Sequence, residues 1–275
     1  MNNNVVDRPS ARQVGESQLE TVRAAFFDIN QLGLVLTEAI DRIAGNDLSG
    51  NAEVAVLMRL LDGPVRPREL LDLTGLSSAG VTNLVDRLDG HGLITRSHEA
   101  NDGRAVVVTA STEGRALIET VLATVNTMFD SLLPLRRRIL RHLGVPTRPS
   151  RPTASRSNEA ISRLAKLATD LDVAFANVLH HEDPSPARTA VALAAASCEG
   201  GTRHRELLEL TTLSSGGVTM LVERLERAGL VTRSEARPPD RRAVMIRLTP
   251  AGATMYRCCM DQIMRHVDSI AVALR

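Results

Sequence analysis

Two segments of the sequence carry the same polar residues at the same spacing, and these residue types suit contact with nucleic acid. Residues 73–97 read LTGLSSAGVTNLVDRLDGHGLITRS, and residues 210–234 read LTTLSSGGVTMLVERLERAGLVTRS. Hydroxyl, amide and guanidinium groups hydrogen-bond to phosphate oxygens and to base edges. No nucleophile–base–acid constellation, phosphate loop or carboxylate pair stands out, so we expect a binding protein and not an enzyme.

The two segments belong to a longer internal repeat. A constant offset of 137 residues relates positions 53–97 to 190–234, and 22 of the 32 positions in 66–97 are identical to their counterparts. Past that point the offset is 138, which aligns Gly114 with Gly252. A period this long exceeds that of solenoid repeats, which is 20–50 residues. We therefore predict a duplicated domain with a first unit over 1–143, a Pro- and Ser-rich linker over 144–157, and a second unit over 158–275.

The repeated passage predicts a helix, a tight turn and a second helix. A short apolar helix over 66–73 is followed by a turn that contains Gly75, and a hydroxyl of Ser77 or Ser78 can cap the next helix. The second helix has a buried stripe at helical spacing, formed by Val81, Leu84, Val85 and Leu88. Two strands, 93–97 and 105–109, then flank a polar loop. This order is that of a winged helix, and the second copy repeats it.

Long helices flank each winged region. Apolar residues recur at heptad-like spacing between Leu19 and Ile43 and again between Ile161 and Val178. Such a seam packs either on a partner helix or within the core of its own domain, and the sequence leaves both alternatives open. Closing helices are predicted over 113–143, with a break near Pro134, and from 251 to the last residue.

The winged regions resemble the MarR family of bacterial transcription regulators. The resemblance rests on LSSAGVTNLVDRLDGHGLITR followed by DGR, and on LSSGGVTMLVERLERAGLVTRSEARPPDRRAVMIRLTPAG. It implies dimers whose first and last helices interlock, with one winged helix per subunit offered to DNA. The expected fold is therefore mainly α with small β-hairpins: two winged helix-turn-helix domains plus long N- and C-terminal dimerisation-type helices, forming a single-chain pseudo-dimer. The alternative assembly is a homodimer of this chain with four winged helices.

Base contacts are predicted on the exposed face of each second helix. Thr82 and Asn83 lie opposite the buried stripe of the first copy, and Thr219 and Met220 are their counterparts. Asn83 can pair bidentately with adenine. The family often carries Arg at the positions of Asn83 and Met220, so the usual contact with guanine is not expected here. Because Asn83 and Met220 differ from each other, we expect the two helices to prefer different half-sites.

Phosphate contacts are predicted around the start of the helix-turn-helix. The hydroxyls stand at a helix N-terminus, where backbone N–H groups favour anions, and their alternative role is capping alone. The arginines before the turn can reach the DNA backbone or can lie on a solvated face. The candidates are Ser77, Ser78, Ser214 and Ser215 among the hydroxyls, and Arg66, Arg68, Arg203 and Arg205 among the arginines.

The wing supplies the remaining candidates. Asp102 and Arg104, like Asp240 and Arg242, match an Asp-x-Arg motif of the family. By that resemblance the Asp orients the Arg, and the wing enters the minor groove, where negative potential attracts Arg. The alternative is an ion pair that only stiffens the hairpin. Two further cations, Arg237 and Arg241, occur in the second wing alone.

The two winged regions carry unequal charge. Residues 66–108 contain five Arg and six acidic residues, whereas 203–246 contain eight Arg and six acidic residues. Since neutralisation of phosphates dominates DNA affinity, we expect the second region to anchor the protein and the first to contribute less.

Composition bounds the remaining functions. The net charge of +1 requires any basic surface to be local, and scarce aromatic residues argue against base-stacking platforms. Three cysteines without paired spacing and a polar N-terminus indicate a cytoplasmic protein without a membrane partner. We expect no cofactor and no metal site, since the cluster at 180–183 lacks ligand spacing.

The sequence thus predicts a sequence-specific regulator of transcription that binds double-stranded DNA, most simply a repressor. Its resemblance to MarR-family proteins implies a pseudo-palindromic operator and release by a small-molecule effector. Two alternatives remain: a winged-helix protein-interaction module without specific DNA binding, and a four-headed dimer that bridges DNA.

Overall fold

The computed structural model describes residues 15–45, 51–99, 102–146, 155–179, 183, 185–235 and 244–275. Within these ranges the chain is mainly helical, with two small antiparallel sheets. The elements of the first half are α1 (Glu16–Ala44), α2 (Asn51–Leu61), α3 (Glu69–Thr74), α4 (Ser78–Gly90), β1 (Ile94–Glu99), β2 (Asp102–Ala110), α5 (Thr112–Ser131) and α6 (Leu133–His142).

The second half repeats this order with one added strand. Its elements are α7 (Ser155–Leu179), α8 (Pro186–Ala196), β3 (Thr202–Arg203), α9 (His204–Thr211), α10 (Ser215–Arg227), β4 (Val231–Glu235), β5 (Val244–Leu248), α11 (Pro250–Arg265) and α12 (Val267–Leu274). The helix-rich pattern with small sheets agrees with the mainly α class that the sequence predicted.

Tertiary contacts divide the chain into two compact units. Unit I comprises Asp28–Ala174 and Ser269–Arg275, and unit II comprises Met1–Phe27 and Phe175–Asp268. Each unit therefore combines the central elements of one half with a helical segment from the other half. The division passes within α1 and within α7.

Unit I has a core built from the predicted apolar stripes. Leu57 and Leu60 of α2, Leu70 of α3, Leu88 of α4 and Ile118 of α5 are fully buried. The buried stripe of α4 belongs to the same core, so its polar face is left on the surface.

Unit II places equivalent residues in its core. Leu207 of α9 and Leu225 of α10 are the counterparts of Leu70 and Leu88, and both are buried. The stripe of α10 is Val218, Leu221, Val222 and Leu225, and each member is buried as its counterpart in α4 is.

A glycine fixes the junction between each hairpin and its closing helix. A Cβ added at Gly114 would lie 1.9 Å from the carbonyl oxygen of Leu93, and one at Gly252 would lie 1.9 Å from that of Leu230. A side chain at either position would force the helix away from the chain that enters the hairpin. The N-terminus of α5 and that of α11 are thus held against the start of the adjacent strand.

The sheet of the second half differs from the predicted hairpin. Thr202 of β3 pairs with Ile246 of β5, which makes a three-stranded sheet in the order β3-β5-β4. In the first half a single bridge joins Val65 to Val108 at the equivalent place. A strand of two residues is too short to show an alternating pattern, so the sequence did not reveal it.

Two helix boundaries also differ from the predicted ones. Helix α7 begins at Ser155, within the predicted linker. The sequence did not reveal this start because the apolar pattern used to place the helix begins only at Ile161. The second closing helix is interrupted at His266, whose ring nitrogen Nδ1 lies 2.8 Å from the carbonyl oxygen of Gln262. The predicted break near Pro134 is confirmed: α5 ends at Ser131, and Pro134 stands in the first turn of α6, where proline is tolerated.

Candidate nucleic-acid interface

Helices α4 and α10 begin in the same way. The Ser77 hydroxyl accepts a hydrogen bond from the backbone N–H of Gly80 at 3.2 Å, and the Ser214 hydroxyl accepts one from Gly217 at 3.2 Å. The next residues, Ser78 and Ser215, are exposed at the first helical position. Each serine pair therefore contains one capping residue and one residue whose side chain faces solvent.

The faces of α4 and α10 opposite their buried stripes carry the predicted base-contacting residues. Thr82 and Asn83 are exposed, and Met220 is 71% exposed. The hydroxyls of Thr82 and Thr219 each donate to the carbonyl oxygen four residues earlier, at 3.0 Å, so they offer acceptor lone pairs outward. At the next position the two helices differ in chemistry, because α4 has the amide of Asn83 and α10 has the thioether chain of Met220.

One contact at helix α10 was not predicted. Nε2 of His204 lies 3.3 Å from the hydroxyl oxygen of Thr219, so the imidazole touches the candidate recognition face of α10. The equivalent residue in the first half is Pro67, which has no such group. The aligned sequences show this difference, but only the packing of α9 on α10 brings the two side chains together.

The arginines before the turn occupy less regular positions than the sequence predicted. Arg66 and Arg68 are exposed and precede α3, which begins at Glu69, while Arg203 lies in β3. The carboxylates of Glu69 and Glu206 accept from the backbone N–H of the arginine three residues earlier, at 3.2 and 3.0 Å. These bonds satisfy the start of each helix and explain why it begins after the predicted residue.

Arg205 is exposed on α9, and Arg203 is half-buried. Both therefore remain candidates for the DNA backbone, together with Arg66 and Arg68. The wing candidates Arg237, Asp240, Arg241 and Arg242 lie outside the described residues. Asp102 and Arg104 fall on β2, but their side chains are outside the described part of the structure.

Acidic side chains engage two cations of the first winged region. Arg96 on β1 pairs with Asp86 at 2.5 Å and with Asp89 at 3.1 Å, both of which are on α4. Arg87 pairs with Glu53, which is buried. These pairs neutralise positive charge close to the candidate interface.

The second winged region is arranged differently. Arg233, the counterpart of Arg96, pairs with Glu226 at 3.4 Å. Arg224, the counterpart of Arg87, pairs with Asp183 at 2.9 Å and donates to the Thr189 hydroxyl at 2.8 Å. The counterpart of Glu53 is Ala190, which has no carboxylate. Arg224 therefore pairs with Asp183, which precedes α8, whereas Arg87 pairs with Glu53 on α2.

Two arginines of the run 136–138 make contacts within the protein. Arg136 is buried, and its Nε and Nη2 donate to the carbonyl oxygen of Leu274 at 2.9 and 2.6 Å. Its guanidinium carbon lies 3.6 Å from the centre of the Phe129 ring, and burial lowers the pKa of Arg136 to about 10. Arg138 forms two hydrogen bonds with Asp28, which raise the pKa of Arg138. Arg136 is therefore held in the interior, and Arg138 is held by an ion pair at the surface.

The other chemistry-bearing residues form no further site among the residues described. No group of three His, Cys, Asp or Glu side chains in that part of the chain is arranged to hold a metal ion. Cys259 is buried, which raises the pKa of its thiol to about 12, while Cys258 is exposed. In the described ranges no single helix has the length and apolarity needed to cross a membrane, and only the bent pair α5 and α6 meets those limits jointly.

Comparison with known proteins shows similarity to a known family in one part of the chain. Residues 46–105 match the model of the MarR family. Over 57 residues the chain is 42% identical to an uncharacterized HTH-type transcriptional regulator, YcgE, of Bacillus subtilis (strain 168), which is 21% of this chain and 37% of that protein. Over 82 residues it is 33% identical to the HTH-type transcriptional repressor YetL of the same strain, which is 29% of this chain and 48% of the relative. The chain thus spans less than half the length of each of these relatives.

Among solved structures, the YusO protein from Bacillus subtilis aligns with 50% of this chain and 87% of its own, at 22% identity and a TM-score of 0.33.

Proposed function

We propose that this protein is a sequence-specific regulator of transcription that binds double-stranded DNA, and that it acts as a repressor. The observation that carries the proposal is that α4 and α10 are built alike. Both are 13-residue helices with a serine cap and a fully apolar buried stripe, and their outward faces carry Thr82 and Asn83 in α4 and Thr219 and Met220 in α10. The MarR-family match of residues 46–105 and the repressor named among the relatives support the same function.

The proposal includes two linked recognition helices in one chain. The two halves repeat the same order of elements, and each compact unit takes in a helical segment from the other half. This is the arrangement that a fusion of two interlocked subunits requires, with units 1–143 and 158–275 joined through 144–157. A pseudo-palindromic operator whose half-sites are about one helical turn apart, ~34 Å, would engage both helices.

Within this proposal the residues have distinct roles. Thr82, Asn83, Thr219 and Met220 face the bases in the major groove, where an amide pairs with adenine and an apolar chain contacts the thymine methyl group. Phosphates receive hydrogen bonds from Ser78 and Ser215 at the helix start and from the arginines before the turn. The wing arginines, oriented by Asp102 and Asp240, enter the minor groove.

A second candidate function is a winged-helix module that binds another protein and not DNA. The observation that favours it is the neutralisation of Arg96 by Asp86 and Asp89 beside the recognition face of α4. Affinity for DNA depends on cations that are available to phosphates, and such pairs reduce that number. The module would then use the exposed face of α4 for a protein surface.

The test is selection of random duplex DNA by the full chain at near-physiological salt. We expect enrichment of two related but unequal half-sites about one helical turn apart. Asn83→Ala should then change one half-site and Met220→Ala the other, whereas Thr127→Ala, on the exposed face of α5, should change neither. If no sequence is enriched, specific recognition is overturned. A flat dependence of any residual DNA affinity on salt then favours the protein-binding module.

A further inference from the structure

The hydroxyl of Thr219, on the outward face of α10, is held from two sides. It donates its proton to the carbonyl oxygen of Ser215 at 3.0 Å, and its oxygen lies 3.3 Å from Nε2 of His204. Since the hydroxyl proton is already engaged, Nε2 carries the hydrogen of the second bond and Thr219 accepts it. One lone pair of this oxygen is therefore occupied within the protein, and a single acceptor position is left.

The matching hydroxyl on α4 has a different neighbour. Thr82 donates to the carbonyl oxygen of Ser78 at 3.0 Å, but the residue in the place of His204 is Pro67, whose side chain has no hydrogen-bond donor. Thr82 is exposed, whereas Thr219 is half-buried. The two helices thus carry the same residue at this position, with a different part of it available to a ligand.

The imidazole is placed by the start of α9. His204 is the first residue of this helix and follows β3 directly, so the pairing of β3 with β5 fixes where the helix begins. The Glu206 carboxylate accepts from the backbone N–H of Arg203 at 3.0 Å and from the hydroxyl of Thr202 at 2.9 Å, which holds the first turn to the strand. The short strand of the second half therefore brings the imidazole to α10.

The residue next to Thr219 adds to the difference between the helices. Met220 is exposed and presents a thioether chain, whereas Asn83 presents an amide. With the oxygen of Thr219 engaged, its γ-methyl group and the Met220 chain form an apolar pair on α10. Apolar groups contact the C5 methyl group of thymine in the major groove, whereas amides and free hydroxyls bond to amino groups and ring nitrogens.

We propose that His204 is a positioning residue for base recognition: by holding the Thr219 hydroxyl, it makes the half-site under α10 selective for thymine methyl groups. The inference rests on the proposed function, to which it adds the base chemistry that α10 prefers and the residue that sets this preference. His204 acts only through Thr219. The half-site under α4, where Thr82 keeps both lone pairs and Asn83 has its amide, should favour adenine.

The experiment compares thymidine with deoxyuridine, which lacks only the C5 methyl group. Each thymidine of the duplex selected by the full chain is replaced in turn, and affinity is measured by fluorescence anisotropy. Both duplexes have the same phosphates, so the salt-dependent part of the affinity cancels in the ratio. We expect a deoxyuridine penalty of about fourfold in the half-site that Met220→Ala changes, and of less than about twofold in the half-site that Asn83→Ala changes.

His204→Pro gives the second half the residue that the first half has. Proline suits the first residue of a helix, and Arg203 before it is already extended, with φ −98° and ψ 154°. The variant frees the Thr219 hydroxyl, so the penalty should fall below about twofold at the thymidine that Thr219 contacts. His204→Gln has an amide N–H that can replace Nε2–H, and it should keep the penalty.

A double variant separates positioning from other effects of His204. Thr219→Val replaces the hydroxyl with a methyl group and should keep the penalty without help from the imidazole. Adding His204→Pro to Thr219→Val should then leave the penalty as it is, because the hydroxyl that the change would release is absent.

The inference is overturned if no thymidine under α10 is sensitive to loss of its methyl group, if His204→Pro keeps every penalty, or if His204→Gln loses the penalty as His204→Pro does. A uniform fall in affinity with unchanged ratios would show that His204 contacts phosphate and does not position Thr219. If His204→Pro fails to fold, His204→Ala, which also removes the donor, takes its place. A parent chain that binds no DNA removes the proposed function and this inference together, whereas DNA binding with unaltered penalties removes this inference alone.

Discussion

Arg96 on β1 donates to the carboxylate of Asp86 on α4, with Nη2 and Oδ1 2.5 Å apart. This contact ties the first strand of the hairpin to the C-terminal half of the candidate recognition helix. Arg96 is thereby partly withdrawn from phosphates, and Asp86 adds a negative charge on the side of α4 that faces away from the core. We expect Asp86→Asn to tighten DNA binding about threefold at low salt, because it removes this charge and releases part of Arg96.

Fluorescence anisotropy with the selected duplex measures this change. Glu119→Gln removes an exposed acid from α5 and is the matched control, for which we expect little effect. Weaker binding by Asp86→Asn would mean that the ion pair positions α4 for DNA and does not compete with it.

The wing arginines should contribute unequally. The second winged region has a net charge of +2 over 203–246, against −1 over 66–108. Because phosphate neutralisation dominates affinity, Arg242→Ala should weaken DNA binding more than Arg104→Ala, and it should reduce the slope of log K against log salt by about one. Salt titrations of both variants test the order. The idea that the second region anchors the protein is wrong if Arg104→Ala has the larger effect.

Substitution of Ser214 separates helix capping from phosphate contact. Its hydroxyl accepts from the Gly217 N–H, and loss of such a cap in Ser214→Ala should cost about 1 kcal/mol in urea denaturation. Ser214→Asp keeps a capping oxygen and should unfold as the parent does, yet its carboxylate would repel phosphate. We expect Asp to weaken DNA binding more than Ala does. Equal DNA affinity for the Asp variant and the parent would place Ser214 away from the phosphate backbone.

Arg136 should be a determinant of stability. Its buried guanidinium donates to the carbonyl oxygens of Leu274 and Phe129 and lies over the Phe129 ring. Arg136→Ala leaves those carbonyl oxygens without donors and opens a void, so we expect a loss of about 3 kcal/mol in the free energy of unfolding. Arg137→Ala, next along the chain and exposed, is the control and should stay within about 0.5 kcal/mol. Equal losses in the two variants would show that the buried contacts add nothing.

The adjacent cysteines should react differently. Burial raises the pKa of the Cys259 thiol to about 12, so at pH 8 it is protonated and lacks the thiolate that attacks alkylating agents. Cys258 is exposed on the same helix. Iodoacetamide at pH 8 should therefore label Cys258 and spare Cys259 in the native protein, and label both in urea, as peptide mass spectrometry would show. Labelling of native Cys259 at the rate of Cys258 would contradict the packing of α11.

The features that the sequence predicted well are those set by local periodicity and capping chemistry. The stripe of α4 and a serine cap at Ser77 or Ser78 depend on residues within two turns of one another. The structure confirms the stripe and shows that the cap is Ser77. The repeat then predicts the same for α10. Neither prediction requires knowledge of the rest of the chain.

The features that were missed depend on residues far apart in the sequence. Arg136 is buried because Leu274, 138 residues later, supplies its acceptor, and in the sequence it reads as one of three charged neighbours. The pair of Arg224 with Asp183 and the contact of His204 with Thr219 arise in the same way from packing between elements. The strand β3 was missed for a different reason, since two residues carry no pattern.

The difference between Asn83 and Met220 gives the two candidate recognition helices different chemistry. A symmetric dimer fits a palindrome equally well after rotation by half a turn, so it cannot distinguish upstream from downstream. Under the proposed function, a chain with an amide in one helix and a thioether in the other binds an unequal operator best in a single orientation. The bound complex would then point along the DNA, and reversing the operator at a promoter would reverse which half of the protein faces the start of transcription.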